Sequence, residues 1–399
     1  MPRFLRNPAF VAMCLAALSV AACDHAATEP AVAPIDPVLA ATGKDIFRFD
    51  TFGDEQYWTD TLRMHEVIAT GVSPATALSV GLKVDVDALP TEIQAAIAAG
   101  KVDLNSPATT VTLLKLNAVV GLQGEVQTRN GKDSLVRLGV TCALCHSTVD
   151  NSFTKGIGKR LDGWPNMDLN PGAIVALSPA VSAAVKSVLN SWGPGMYDPR
   201  TNIDGLNTPI VLPPAYGLRG VASETYTAEG PVSYWNAYVA VTQMHGHGSF
   251  IDSRLNIKVI QTPDMVTSKL PALREYQLSL SKPAPPPGSF DVAAAARGRD
   301  VFTGAGNCSS CHSGSIFSDV NSGKLHTAAE TGMDPRYAMR TAQKAYRTTP
   351  LRALWQHAPY FHDGSAKTLS DVVQHYVTVR KLQLSDNQKH DLVEYLKSL

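Results

Sequence analysis

The 399-residue sequence has no surplus of charge: 35 Lys and Arg stand against 35 Asp and Glu. It therefore offers no basic surface of the kind that holds nucleic acid, and no nucleic-acid partner is expected. Past the N-terminus it has no apolar run long enough to span a bilayer. Cysteine is scarce, with six in all, and once each is placed below none is left over for a disulfide. There is no tandem repeat of solenoid period. Histidine is missing from the whole stretch between His146 and His245. What remains is an ordinary globular balance, 44% hydrophobic and 18% charged, enough for about two domains.

The first residues have the pattern of an export signal. Arg3 and Arg6 supply a positive start, and Phe10 to Ala22 is a short alanine-rich apolar stretch. It ends in Val20-Ala21-Ala22-Cys23, the pattern of a lipoprotein cleavage site, which makes 1–22 the signal and Cys23 the acylated residue. The alternative is a plain secretory signal with an incidental cysteine. Acyl chains at about 0.8 kcal/mol per buried methylene would anchor the chain stably. Asp24 favours retention at the inner membrane, so the expected location is periplasmic and lipid-anchored. Residues 23–42, rich in Ala and Pro, have the composition of a flexible tether.

Cys14 falls in the signal, leaving Cys142, Cys145, Cys308 and Cys311. They occur as Cys142-Ala143-Leu144-Cys145-His146 and Cys308-Ser309-Ser310-Cys311-His312. Two cysteines three apart reach the two vinyl groups on one haem edge and form thioethers. The histidine that follows turns under the ring as the proximal iron ligand. A zinc or redox C-x-x-C does not explain a histidine directly after both motifs. The motifs predict two covalently bound haem c groups, with His146 and His312 on iron.

The motifs lie in two modules of unequal size. The Pro-rich segment 281–289 is the boundary, between an enlarged N-terminal haem domain, 43–280, and a C-terminal cytochrome c-like domain, 290–399. In the second, Ala294, Gly298, Val301 and Phe302 recur at helical spacing. Ser385 and Gln388 form a capping-box pattern before Leu392, Val393, Leu396 and Leu399 on one face. This resembles the cytochrome c fold, where a helix before the haem motif crosses a C-terminal helix. Gly298 then permits close approach, and Phe302 packs near Tyr395. In the first module, Thr91 to Gly100 and Thr110 to Val120 look helical, while 150–260 is rich in Gly and Pro and predicts long loops. The fold class is mainly α, two cytochrome c-like haem domains with long irregular loops.

Thr348 to Tyr376 reads TTPLRALWQHAPYFHDGSAKTLSDVVQHY. It resembles a signature of the bacterial di-haem cytochrome c peroxidase superfamily, which includes the di-haem enzyme that matures tryptophan tryptophylquinone. With the second haem motif the resemblance covers about residues 290–399. It implies one haem for electron transfer and one that meets peroxide. It also implies a second axial ligand to the C-terminal haem from the helix after Ala358-Pro359-Tyr360-Phe361-His362-Asp363-Gly364, methionine in peroxidases and tyrosine in the quinone-maturing enzyme. The matching position is Tyr376, which shares an apolar helical face with Val372, Val373 and Val377. His375, His362, Met333 and Met339 remain alternatives. His362 and Arg352 are candidates for pairing a haem propionate, Arg352 because guanidinium matches carboxylate in a bidentate way.

Peroxidases of this superfamily carry a histidine shortly after the first motif, and this sequence does not. The first iron is then open or closed by another group. The nearest candidates are His245 and His247, with Glu224 and Glu229 as candidate proton shuttles for splitting an O–O bond. The superfamily places a tryptophan between its haems, and Trp164, Trp192 and Trp235 are available. The leading expectation is a peroxidase-like oxidoreductase acting on hydrogen peroxide or dioxygen, with a small periplasmic redox protein as electron donor. The alternatives are a non-enzymatic di-haem electron carrier, and a di-haem oxygenase cleaving carbon–carbon double bonds, as the related rubber-degrading cytochromes do.

Overall fold

Asp36 and Pro37 begin the first helix. The Asp36 carboxylate accepts from the Val38 and Leu39 N–H groups, and Pro37 supplies a preset φ at the first helical position. The resulting helix α1 spans Pro37–Phe49 and so starts inside the segment read as tether. An Asp-Pro pair is a helix start, and alanine-rich composition around it hid that signal. The structure, a computed structural model, describes residues 33–399. The signal, Cys23 and the first part of the tether lie outside the described residues.

Those residues are mostly helix and loop, with five two-stranded pairings as their sheets. No described helix is long and apolar enough to cross a membrane. The largest pairing is an antiparallel hairpin, β1 (Leu122–Arg129) with β2 (Lys132–Val140). Its turn is Asn130-Gly131, at φ 51° and 73°, the two left-handed residues that a tight hairpin needs. Helical periodicity had suggested a helix running to Val120. It stops at Lys115, because Asn117 takes a left-handed φ of 51° and the chain then turns into β1. Helix α2 (Leu270–Ser279) lies against α1. Their closest approach is at Gly43, where a Cβ would stand 1.8 Å from the Ala272 carbonyl oxygen. Between the hairpin and α2 the helices have at most eight residues, and the loops expected there are present.

After the irregular segment 281–289 comes α3 (Val292–Thr303), capped by Asp291. Helix α4 (Leu369–Val379) follows, with a capping box of Thr368 and Asp371. Helix α5 (Asp386–Ser398) starts with the Ser385–Gln388 box read from the sequence. Helices α3 and α5 cross at Gly298, where a Cβ would meet the Asp391 carbonyl oxygen at 2.0 Å. Phe302 and Tyr395 stack edge to face at 5.3 Å, and Arg297 grips the Asp391 carboxylate through two bonds of 2.8 and 2.7 Å. One apolar core draws on residues from Phe47 to Tyr276, and a second on Val301 to Leu399. Both belong to one compact unit, Pro34–Leu399. Loops 198–230 of the first half dock on 326–362 of the second, as in the Val211 N–H bond to the His362 carbonyl at 2.8 Å.

The crossing tolerates no side chain at position 298. Gly298→Val should lower stability by about 1–3 kcal/mol, the usual cost of overpacking. Denaturant unfolding measures it, and an unchanged midpoint would show that the helices do not meet there. Asp54 tests the first core. It is fully buried, accepts only the Val140 N–H at 3.2 and 3.3 Å, and burial beside Glu55 lifts its pKa from 3.8 to about 9. The folded protein keeps a proton that the unfolded chain releases. Stability from this group is therefore full in acid and is lost as pH rises through about 9. Asp54→Asn should flatten the pH dependence of the unfolding midpoint across that window, and a slope equal to wild type counts against the burial.

Candidate haem sites and the cavity they share

The first motif follows directly on β2. Cys142 begins a short helix, Ala143–His146, whose close seating needs Gly121. Gly121 has φ 81°, and a Cβ there would lie 2.2 Å from the Leu144 backbone. The His146 Nδ1–H donates to the Pro213 carbonyl at 3.1 Å, which leaves Nε2 as the free lone pair. Burial drives the His146 pKa down to about 4, so the imidazole is neutral, the form that binds metal. The second motif is a 3₁₀ turn, Cys308–Ser310, entered through Asn307 at φ 47°. The His312 Nδ1–H donates to the Phe317 carbonyl at 3.0 Å, and burial lowers its pKa too. Burial pushes the thiols of Cys142 and Cys145 up to about 12 and that of Cys308 up to about 11. All four cysteines are free of disulfides. The four cysteines and both histidines line one cavity of about 1060 Å³. Paired thiols, an adjacent imidazole with Nε2 open, and a largely apolar cavity are what a covalent haem requires.

Of the two histidines proposed near the first iron, the cavity wall includes His245 and not His247. His245 has φ 63° and stacks on Tyr57, ring centroids 3.7 Å apart. Two π-helical turns, Gln56–Thr61 and Val239–Gln243, bring Tyr57 and Gln243 to the same wall, and such turns recur at functional sites. His247 is turned the other way, its Nδ1–H donating to the Pro263 carbonyl at 2.6 Å.

The two carboxylates separate in the same manner. Glu229 is off the wall, held by a buried ion pair to Arg200, by the Thr227 hydroxyl at 3.2 Å and by the Ala342 N–H at 3.0 Å. Both its oxygens are engaged, and Arg200 is boxed by the rings of Trp235, Tyr238 and Tyr337. Glu224 is buried on the wall. Its Oε2 lies 3.3 Å from Arg347, and its Oε1 is buried with no hydrogen-bond partner. Burial raises its pKa against the pull of Arg347 and Arg352. Arg352 lines the cavity as well, its pKa lowered by burial to about 10. Arg347 is a wall residue the sequence reading passed over, although it stands one position before the segment singled out there.

Around the second motif, Tyr376 reaches the wall, and burial, with smaller effects from the Cys311 and Cys308 thiols, pushes its pKa up to about 12. His362 is buried on the wall, stacked on Tyr346 at 4.6 Å with Nε2 3.1 Å from the Tyr346 hydroxyl. His375 is off the wall, its Nε2–H given to the Thr331 carbonyl at 2.9 Å. Met333 is on the wall, whereas Met339 is 58% exposed. Two further histidines on the wall were not singled out from sequence. His326 sits between Asp319 at 3.1 Å and Glu330 at 3.0 Å, and His357 bonds the Arg352 carbonyl at 3.2 Å. His326 stands in no motif, whereas His357 lies within the Thr348–Tyr376 segment, directly before Ala358. Among the tryptophans, Trp192 and Trp235 line the cavity. Trp164 follows Gly163, whose N–H bonds the His146 carbonyl, and it meets Trp355 of the second half edge to face at 5.8 Å.

No family model matches the chain. Among curated proteins it is 30% identical to the methylamine utilization protein MauG of Methylorubrum extorquens over 131 residues, 27% of this chain and 35% of that one. It is 30% identical to the MauG of Methylophilus methylotrophus over 121 residues, 26% of this chain and 36% of that one. It is 34% identical to the hydrazine synthase subunit gamma of Kuenenia stuttgartiensis over 86 residues, 18% of this chain and 24% of that one. The matches thus span about a third of the MauG proteins' length. Among solved structures, Kuenenia stuttgartiensis hydrazine synthase superposes with a TM-score of 0.36 at 21% identity, over 53% of this chain and 78% of that one. A MauG-like protein associated with microbial copper homeostasis superposes at 0.35 and 17%, over 49% and 74%. The donor set fits two haem c groups, one per motif. Over about a quarter of its length the chain is thus similar to the MauG proteins.

Proposed function

We propose that the protein is an exported di-haem c-type oxidoreductase that reduces hydrogen peroxide. The reaction balances as one peroxide, two protons and two electrons giving two waters. Haem, when bound, supplies the iron redox chemistry. The chain's own task is to hold that group, to bring protons and to keep water out. The observation that carries the reading is Glu224: a buried carboxyl on the wall of the cavity that holds both motifs, with one oxygen unpaired. Burial raises its pKa, so it keeps a proton more readily than an exposed glutamate and can pass it to a leaving oxygen. Arg347 and Arg352 face the charge that remains on the carboxylate. His146, oriented by Pro213, presents Nε2 to the metal. In this proposal Tyr376 would hold the second group through its phenolic oxygen, and the Trp164–Trp355 contact would lie between the halves as an aromatic relay. The donor is a small periplasmic redox protein. Export and anchoring through acylated Cys23 belong to the same proposal.

A second reading is oxygenation of an apolar molecule. It is favoured by the apolar lobe of the cavity, where Ile174, Val175, Val181 and Leu189 line the wall. Oxygen uptake on an isoprenoid, compared with peroxide-dependent oxidation of a reduced small cytochrome, separates the two.

Glu224→Gln should lower peroxide turnover by about 10²–10⁴-fold, the usual share of one acid–base group, while the visible spectrum stays as in wild type. Full activity in that variant would remove Glu224 from the reaction. Tyr376→Phe should change the visible spectrum of one haem and leave the other. An unaltered spectrum would reject a ligand role for Tyr376.

A further inference from the structure

Both ring nitrogens of His326 face carboxylates. Nε2 lies 3.1 Å from Asp319 Oδ2, and Nδ1 lies 3.0 Å from Glu330 Oε1. A neutral imidazole carries one N–H and satisfies one of these contacts. At the other, its lone pair meets an ionised oxygen. The triad is therefore complete only with one further proton, shared by an imidazole and two carboxylates. The backbone holds the ring in place. The His326 N–H bonds the Tyr346 carbonyl at 2.7 Å, and the Tyr346 N–H returns to the His326 carbonyl at 2.8 Å.

The triad runs from solvent to the second haem site. Its outer end, Glu330, is 41% exposed. The hydrogen bond from His326 lowers the Glu330 pKa, with burial opposing and Arg380, 3.7 Å away, assisting. Its inner end, Asp319, is buried, and Oδ1 has no hydrogen-bond partner. His326 itself lines the cavity that holds both motifs. Asp319, His326 and the Cys311 sulfur offer atoms within 4.8 Å of one another. These three do not make a metal site, because a sulfur committed to a haem thioether is no anionic ligand, and the two that remain are too few. The charges reach His312. Burial lowers its pKa and the Phe317 carbonyl raises it; after these, Asp319 raises it and His326 lowers it. The charged and titratable groups that face His326 are thus Asp319, Glu330 with Arg380 behind it, and His312.

We propose that Asp319, His326 and Glu330 take up one proton from solvent when the haem at Cys308 and Cys311 takes up one electron, so that the potential of that haem falls as pH rises. The step balances in charge. An electron from a one-electron donor adds one negative charge at the site, and one solvent proton, entering at Glu330 and held on the triad, cancels it. In the oxidised protein the positive charge of the iron competes with that proton, and the electron removes the competition. Without the proton, the added charge would face two carboxylates in a wall of low dielectric. The inference rests on the second motif holding a haem and is independent of peroxide reduction.

The test uses purified holoprotein. Both haem potentials are measured by spectroelectrochemistry between about pH 5 and 8, the range in which histidine exchanges its proton. One potential should fall with rising pH, by at most about 59 mV per unit, the one-electron equivalent of a tenfold change. His326→Gln keeps a donor and an acceptor but has no proton to exchange. It should flatten that slope while the haem content stays as in wild type. Glu330→Gln, at the exposed end of the triad, removes one of two attracting charges and should move the sloping range about one unit towards acid. A slope that survives in His326→Gln would assign the proton to a haem propionate and overturn the proposal. So would potentials independent of pH in wild type, one slope shared by both haems, or a range unmoved in Glu330→Gln. The readout is a potential and makes no reference to turnover. A protein that shows the slope but does not reduce peroxide retains this site and loses the proposed function.

Discussion

Each motif histidine gives its Nδ1–H to a backbone carbonyl, and much of the structure serves to supply those two acceptors. The bond fixes the ring, sets the tautomer and leaves Nε2 as the lone pair that a metal would take. The two sites meet this requirement by different routes. His312 finds its acceptor five residues on, at Phe317, within one local loop. His146 finds its acceptor 67 residues away, at Pro213, on a loop that the whole first half must fold to deliver. The second site needs only a helix crossing and a turn. The first needs the hairpin, the short helices and the long loops between them.

Delivering the Pro213 loop also presses the two halves together, and buried charge lies along that seam. Arg340 bonds Asp198 at 2.7 Å and Arg347 approaches Glu224 at 3.3 Å across it, and Glu229, paired with Arg200 in its own half, accepts from the Ala342 N–H of the other. Buried ion pairs add little net stability, because desolvation costs nearly as much as the attraction returns, but an unmatched partner is costly. They therefore discriminate against wrong docking more than they strengthen the right one. Within this set Glu229 is saturated and Glu224 is not. The chemical difference between the two glutamates, five residues apart, arises from how many donors the seam leaves each of them.

Several elements were legible before any coordinates. The Ser385–Gln388 capping pattern and the glycine at the crossing of α3 and α5 follow from rules that act within a turn of helix or at one contact. The hairpin turn is equally local, an Asn130-Gly131 pair with both residues at positive φ, but no strand is expected around it from helical period alone. The start of α1 is masked instead by composition, which outweighs the Asp-Pro signal. His326 and His357 are a different case. Nothing near His326 in the chain marks it, His357 stands in the signature segment without a role being assigned to it, and the fold brings both to the cavity.

By itself the sequence determined the chemistry that depends on adjacent residues: two thiols and an imidazole at fixed spacing, twice, and the helices whose caps and faces are local. Only the tertiary structure decided which residues far along the chain share the cavity with those motifs. It brought in His245 and left out His247, and it admitted Glu224, Arg347 and Tyr376 while turning Glu229 and His375 to structural bonds. The physical reason is range. Covalent attachment and helix capping are satisfied within a few residues, whereas burial, desolvation and the choice of hydrogen-bond partner depend on what packs against a side chain from the rest of the molecule.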